Sequence, residues 1–238
     1  MKVLIINGSP NKKKSATLKI TKAFLEGLGE TGETVNTIDL DIKPCRGCFA
    51  CWVMTNGVCV QKDDANAVLD QIRAADLVIW SVPLYCYSAP SHCKALLDRA
   101  TCFNQTGMYV GGDGRTHHYG YEDGSKKTVL ISSAGQPDVK GNFDGLAFMF
   151  KRMFGEYAAT ILCAEGGLFL SPETRPLTEP YLEAARQAGS EYKATGRISE
   201  ETQQKLDSLM MPREAYIQNM NGAFEALKRG EGWVWPGL

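Results

Sequence analysis

The sequence predicts an α/β chain built on a parallel sheet of five strands. Two observations carry that expectation. Short apolar runs recur along the chain, and each is followed by a segment with apolar residues at helical spacing. Clusters of Gly, Pro and small polar residues separate the two kinds of segment. Strands that alternate with helices form parallel sheets joined by right-handed crossovers.

Each element has its own signal. Val3-Leu4-Ile5-Ile6 is a continuous apolar run, as expected of a strand buried on both faces. Gly8-Ser9-Pro10 breaks it, and Ser15 caps a helix carrying Leu18, Phe24, Leu25 and Leu28. Gly29 and Gly32 end that helix, and Thr34–Leu40 reads as a second strand. Asp63-Asp64 opens a helix with Val68, Leu69 and Ile72 on one side. Asp76–Ser81 is the third strand, stopped by Pro83, and Ser91–Arg99 resumes as helix. Residues 104–127 are rich in Gly, Asn, Asp, Tyr and His and read as a long surface loop, a kind that is often functional. Thr128–Ser133 is the fourth strand, Phe143–Phe154 a helix and Ala158–Ala164 the fifth strand. From Glu179 to Arg229 the chain is mostly helix former, interrupted near Gly196 and at Pro212. Trp233 and Trp235 follow, and two tryptophans near an end are expected to dock on the body or on a second subunit.

Composition narrows the function. The chain has 238 residues and is 44% apolar, enough for one sizeable core. Its 26 Lys and Arg nearly cancel 27 Asp and Glu, which argues against nucleic acid or an anionic membrane as partner. The apolar run after Lys2 is too short for a secretory leader, and no stretch approaches the ~20 residues that span a bilayer. Eight cysteines are too few for a disulfide scaffold of this length. A cytoplasmic protein with free or metal-bound thiols is expected.

Four of those cysteines are crowded together. Cys45, Cys48 and Cys51 share two-residue gaps, and Cys59 follows after seven more residues. Thiols this close cannot staple distant parts of a chain. Zinc sites pair one such knuckle with another well removed, whereas successive two-residue gaps resemble iron–sulfur ligation. The alternative is four reduced cysteines packing one loop. Cys93, Cys102 and Cys163 lie in apolar surroundings and read as core thiols.

Ligands in parallel sheets bind at the carboxyl ends of strands, where the strand order reverses. Three strand-end loops carry unusual chemistry: Gly8–Thr17, Ser81–Pro90 and Ser132–Pro137. The first is a Gly-Ser-Pro turn running into a helix, an arrangement that offers backbone N–H groups and the helix dipole to an anion. Gly8 to Ser15 also lies one residue from a nucleotide-binding P-loop, but Lys13 stands where that motif needs its second glycine.

Taken together, these motifs resemble the flavodoxin-like NAD(P)H-dependent FMN reductase family, including its iron–sulfur flavoproteins. The resemblance covers roughly residues 1–170. It rests on Ile6-Asn7-Gly8-Ser9-Pro10, on Pro44-Cys45-Arg46-Gly47-Cys48-Phe49-Ala50-Cys51-Trp52, on Cys59 with Asp63-Asp64, on Ser81-Val82-Pro83-Leu84-Tyr85 and on Lys94–Arg99.

The resemblance implies a flavodoxin-like, doubly wound sheet over 1–171; residues 172–238 depart from that minimal unit and read as a helical C-terminal extension packed on the same domain or on a second subunit. It implies FMN, its phosphate held by Ser9, Asn11, Ser15, Ala16 and Thr17; Ala16 offers only backbone. Pro83, Leu84, Tyr85 and Cys86 would wall the flavin ring, and Ser133, Ala134 and Gly135 would border its pyrimidine side. NAD(P)H would be the co-substrate, and a quinone, azo or nitro compound the acceptor. In iron–sulfur flavoproteins the compact loop, here Cys45, Cys48, Cys51 and Cys59, carries a [4Fe–4S] cluster and a ferredoxin-like partner is expected. Other relatives keep a Cys-Phe-Ala-Cys-Trp segment without a demonstrated cluster, and Trp52 places this chain nearer to them. A homodimer or homotetramer is expected. The flavin itself carries hydride transfer, so no acid–base residue is assigned. His117 and His118 are either solvated loop residues or contacts for substrate or nucleotide phosphates, and His92 reads as a surface or dimer-contact residue.

Overall fold

The computed structural model describes residues 1–121, 127–155 and 159–231. Its strands are β1 (Val3–Asn7), β2 (Gly32–Asn36), β3 (Leu77–Ser81), β4 (Asn104–Val110), β5 (Thr116–Gly120), β6 (Lys127–Ser133) and β7 (Ala159–Cys163). Five of them form one parallel sheet in the order β2-β1-β3-β6-β7. The order reverses between β1 and β3, so the crevice above Asn7 and Ser81 is the switch point. The strand–helix alternation predicts the parallel sheet, and its doubly wound order is the one the resemblance implies.

The helices are α1 (Ala16–Leu28), α2 (Ala50–Val53), α3 (Ala65–Ala74), α4 (Ser91–Arg99), α5 (Asp144–Phe154), α6 (Arg175–Thr195), α7 (Glu200–Asp207) and α8 (Arg213–Lys228). Side chains alternate across a strand, and each central strand therefore feeds two cores. Val3, Ile5, Leu77, Ile79, Val129 and Ile131 pack with α1, α6 and α7. Leu4, Ile6, Val78, Trp80 and Leu130 pack with α3, α4 and α5 on the other face.

α1 and α6 cross at very close range because each presents a glycine. A Cβ on Gly27 would stand 1.7 Å from the Arg186 carbonyl oxygen, and one on Gly189 would stand 2.0 Å from that of Phe24. The C-terminal segment is thus part of the layer that covers one sheet face. Ser15 caps α1 by accepting from the Leu18 N–H (3.2 Å), and Gly29 closes it in the left-handed conformation.

Several boundaries differ from those read in the sequence. β2 starts at Gly32 and ends at Asn36, because the chain tightens into a 3₁₀ turn at Thr37–Asp39. Gly32 serves the strand rather than the helix end: a Cβ there would meet Ile5 Cδ1 at 2.7 Å. The segment expected as an irregular loop holds the antiparallel hairpin β4–β5, turned at Gly111–Gly114. α6 starts at Arg175, four residues before the helical stretch read from Glu179, with Pro176 in its first turn. Ala158, Trp233 and Trp235 lie outside the described residues.

Candidate functional site

The three strand-end loops meet at the switch point and are bonded to one another. The Gly8 N–H donates to the Ser81 carbonyl (2.9 Å), and the Leu84 N–H to that of Ser133 (2.8 Å). Thr17 Oγ1 and Ser133 Oγ lie 2.6 Å apart, and Thr21 Oγ1 donates to Ser81 Oγ (2.9 Å). His92 is half-buried, with Nε2 2.9 Å from the Gly8 carbonyl oxygen, a contact that latches the first loop.

The first loop is a tight knot. The Ser9 N–H donates to Asn7 Oδ1 (3.1 Å) and the Asn11 N–H to Ser9 Oγ (3.3 Å). Its left-handed residue is Lys12, with φ 47°, and not Lys13. Ser9, Ser15 and Thr17 are buried. The Ser9 and Ser15 oxygens accept from backbone N–H groups, which leaves each hydroxyl a proton to donate. The Ala16 and Thr17 N–H groups, at the start of α1, have no acceptor among the described residues. Two free N–H groups at the positive end of a helix are the donor set a phosphate needs.

The second loop doubles back between Tyr85 and Ser88, whose N–H and carbonyl groups exchange two bonds of 2.9 Å. The two residues between them, Cys86 (φ 47°) and Tyr87 (φ 62°), are both left-handed and neither is glycine. Such a turn ordinarily takes Asn-Gly, and strain of this kind collects at functional sites. Pro83 is buried, while Tyr85, Cys86 and Tyr87 stand exposed. The turn therefore presents two exposed aromatic rings on a loop that leaves the switch-point strand β3, at the cost of backbone strain, and such rings suit a planar ligand.

The third loop is fixed from the far end of the chain. Tyr216, on α8 and 2% exposed, donates its hydroxyl to the Gly135 carbonyl (2.6 Å). The Gly166 N–H donates to the Ala134 carbonyl (2.6 Å) and the Glu165 N–H to that of Gln136 (3.1 Å). Glu165 is fully buried in a left-handed conformation, and its Oε2 accepts from the Met210 N–H (2.6 Å). Burial pushes its carboxyl above the usual range, against the N–H groups of Met210 and Met211. The sequence places neither Tyr216 nor Glu165 at this site, because both act across distances of 45 to 81 residues.

The cysteine loop forms a second site on the helical face. Cys45, Cys48, Cys51 and Cys59 line a groove of about 970 Å³, with the end of α4, the end of α5 and the β4–β5 hairpin as its other walls. No residue of the three strand-end loops lines it. Burial pushes the Cys51 thiol up, and Cys59, Cys48 and Cys45 add to the effect. Among the described residues, no three His, Cys, Asp or Glu converge as ligands of a single metal ion. A [4Fe–4S] cluster asks something different, because each thiolate binds its own iron. Four cysteines line one groove, three of them still partly open, and these are the residues that could hold one.

The hairpin closes over this loop. Trp52 donates its ring N–H to the Thr101 carbonyl (2.7 Å), and its ring lies 4.7 Å from that of His118. His118 Nδ1 lies 3.0 Å from the Gln105 carbonyl oxygen, and His117 Nε2 lies 2.8 Å from Asp113 Oδ1. Both histidines have partners inside the hairpin. Cys93, Cys102 and Cys163 are buried core thiols, pushed by burial to about 12, 11 and 12.

Comparison with known proteins agrees with this fold. A family model described as a flavodoxin-like fold matches residues 1–159. An iron–sulfur flavoprotein of Archaeoglobus fulgidus is 38% identical over 101 residues, 42% of this chain and 49% of that one. An FMN-dependent NADH:quinone oxidoreductase of Brevibacillus brevis is 26% identical over 180 residues, 68% of this chain and 79% of that one. Among solved structures, an FMN-dependent NADH-azoreductase from Bacillus anthracis in complex with FMN superposes with a TM-score of 0.56 at 18% identity, over 81% of this chain and 100% of that one. The chain spans about half the length of the iron–sulfur flavoproteins it matches. No helix among the described residues is long and apolar enough to cross a membrane.

Proposed function

The chain belongs to the flavodoxin-like fold family, and from that premise we propose that it is an FMN-dependent oxidoreductase passing electrons from NAD(P)H to a quinone, azo or nitro acceptor. The observation that carries this reading is the switch point, where a helix start with free N–H groups and a strained aromatic turn follow the neighbouring strands β1 and β3. The relatives named as FMN-dependent quinone oxidoreductases support it from outside.

When bound, FMN would supply the redox chemistry, a two-electron exchange between the nicotinamide and the acceptor. The chain's own residues bind and orient. The Ala16 and Thr17 N–H groups hold the phosphate, with Ser9, Asn11 and Ser15 adding donors. Pro83, Leu84, Tyr85 and Cys86 wall the ring, and Ser133, Ala134 and Gly135 border its polar edge. Thr17 and Ser133 act through backbone groups while their hydroxyls stay paired. Exposed Met108, Tyr109, Val110 and Tyr119 on the hairpin favour a second copy as cover, hence a homodimer or homotetramer. The balance of charge and the reduced thiols fit the cytoplasm, with no nucleic-acid or membrane partner.

The cysteine groove favours a second reading. In it Cys45, Cys48, Cys51 and Cys59 bind a [4Fe–4S] cluster, and electrons pass singly to a ferredoxin-like partner. Anaerobic mixing of the FMN-loaded protein with NADH and NADPH separates the two. Rapid bleaching of the flavin band, reversed by a quinone with parallel double-reciprocal plots, is the expected result. Bleaching by reduced ferredoxin alone would transfer the assignment to the second reading.

A further inference from the structure

The groove that holds the four cysteines also holds a buried cation. Arg99 ends α4, and its side chain and that of Asp63 are both 0% exposed. Two bonds join them, Nη1 to Oδ2 at 2.6 Å and Nη2 to Oδ1 at 3.1 Å, and Nη1 also donates to the Lys43 carbonyl (3.0 Å). Of the donors left over, Nε–H is buried and has no acceptor among the described residues. Burial works against the charge on Arg99, but Asp63 and then Cys59 hold it charged.

Stability alone does not explain this arrangement. A buried Arg–carboxylate pair is often replaceable by apolar residues at no loss. A buried donor left unpaired costs about 1–3 kcal/mol. Both features make sense where an anionic sulfur centre shares the space. Four thiolates bring a cluster a net negative charge, and a nearby cation and N–H donors to sulfur favour the reduced state.

We propose that Arg99 is the positioning and charge-compensating residue of the four-cysteine site, clamped by Asp63 and the Lys43 carbonyl so that its positive charge and free Nε–H serve an iron–sulfur cluster held by Cys45, Cys48, Cys51 and Cys59. The proposal rests on the cluster reading of that loop. Reduction adds one electron and one negative charge to the cluster, so removing the cation makes that step harder.

The full chain with FMN bound is reconstituted anaerobically with ferrous iron and sulfide. Iron per chain and the cluster's reduction potential are then measured for the wild type, for Asp63→Asn and for Asp63→Asn combined with Arg99→Gln. The double variant replaces both charges with amides, so neither is left buried alone. Asp63→Asn should keep its iron and become easier to reduce. Adding Arg99→Gln should reverse that shift and lose most of the iron on gel filtration, with FMN content unchanged. A double variant that matches Asp63→Asn in iron and potential overturns the role of Arg99. Where the double variant does not fold, the single variant decides, and an unmoved potential overturns the proposal. A wild type that takes up no iron overturns the cluster reading itself, and the proposal with it.

Discussion

Cys86 and Tyr87 sit in left-handed conformations that cost an L-residue roughly 1–2 kcal/mol each. Cys86→Gly should therefore stabilise the flavin-free protein by about 0.5–1 kcal/mol, read as a higher denaturant midpoint. The same change frees the turn and should weaken FMN binding; a stabilised variant with unchanged affinity would show that the turn does not serve the flavin. Tyr216 bears on the third loop in the same way. Tyr216→Phe leaves the Gly135 carbonyl without its donor and should loosen FMN several-fold while the fold persists, as measured by flavin fluorescence quenching. Legibility at this scale was uneven. The Ser15 cap and the break after β1 could be read from short motifs. The Thr17–Ser133 and Tyr216–Gly135 bonds could not, because they join residues 116 and 81 positions apart.

The α1–α6 contact shows what an element needs beyond its hydrophobic stripe. Gly27 and Gly189 let two backbones touch, so Gly189→Ala must push the helices apart. The expected loss is about 3 kcal/mol, measured by chemical denaturation, and a loss below about 1 kcal/mol would contradict the close crossing. The strands of the sheet were legible because continuous apolar runs admit few other readings. The β4–β5 hairpin was not, because β4 is exposed from Thr106 to Val110 and shows no core face to betray a strand. α6 was legible as helix former, but not its start at Arg175, since Pro176 and Pro180 obscure a boundary that the first turn tolerates.

Across the whole molecule, Glu165 ties the sheet to the C-terminal segment through the Met210 N–H. Its folded pKa is raised by burial, so its contribution to stability is fully present below about pH 4.5 and is lost as pH rises through the folded value. Glu165→Gln keeps an acceptor for Met210 and removes that titration. The wild type should gain stability relative to the variant between pH 7 and pH 5; a difference that stays constant with pH would contradict this. Asp63 runs the other way. Burial alone would raise its carboxyl, but Arg99 and the Lys43 and Ala65 N–H groups hold it low, so its contribution persists at neutral pH and is lost only in strong acid. The overall topology was legible because strand order in such sheets follows few rules, whereas the separation of the cysteine groove from the strand-end crevice depends on where α4, α5 and the hairpin come together. On the proposed reading, one FMN sits in that crevice with its phosphate on the first turn of α1. Titrating flavin-free protein with FMN and with riboflavin, followed by quenching of flavin fluorescence, tests it most directly. Two charge-assisted N–H bonds at about 1.5–3 kcal/mol each predict one saturable FMN per chain, bound at least ~100-fold more tightly than riboflavin. Equal affinity for the two flavins, or no saturable uptake of FMN, would contradict it.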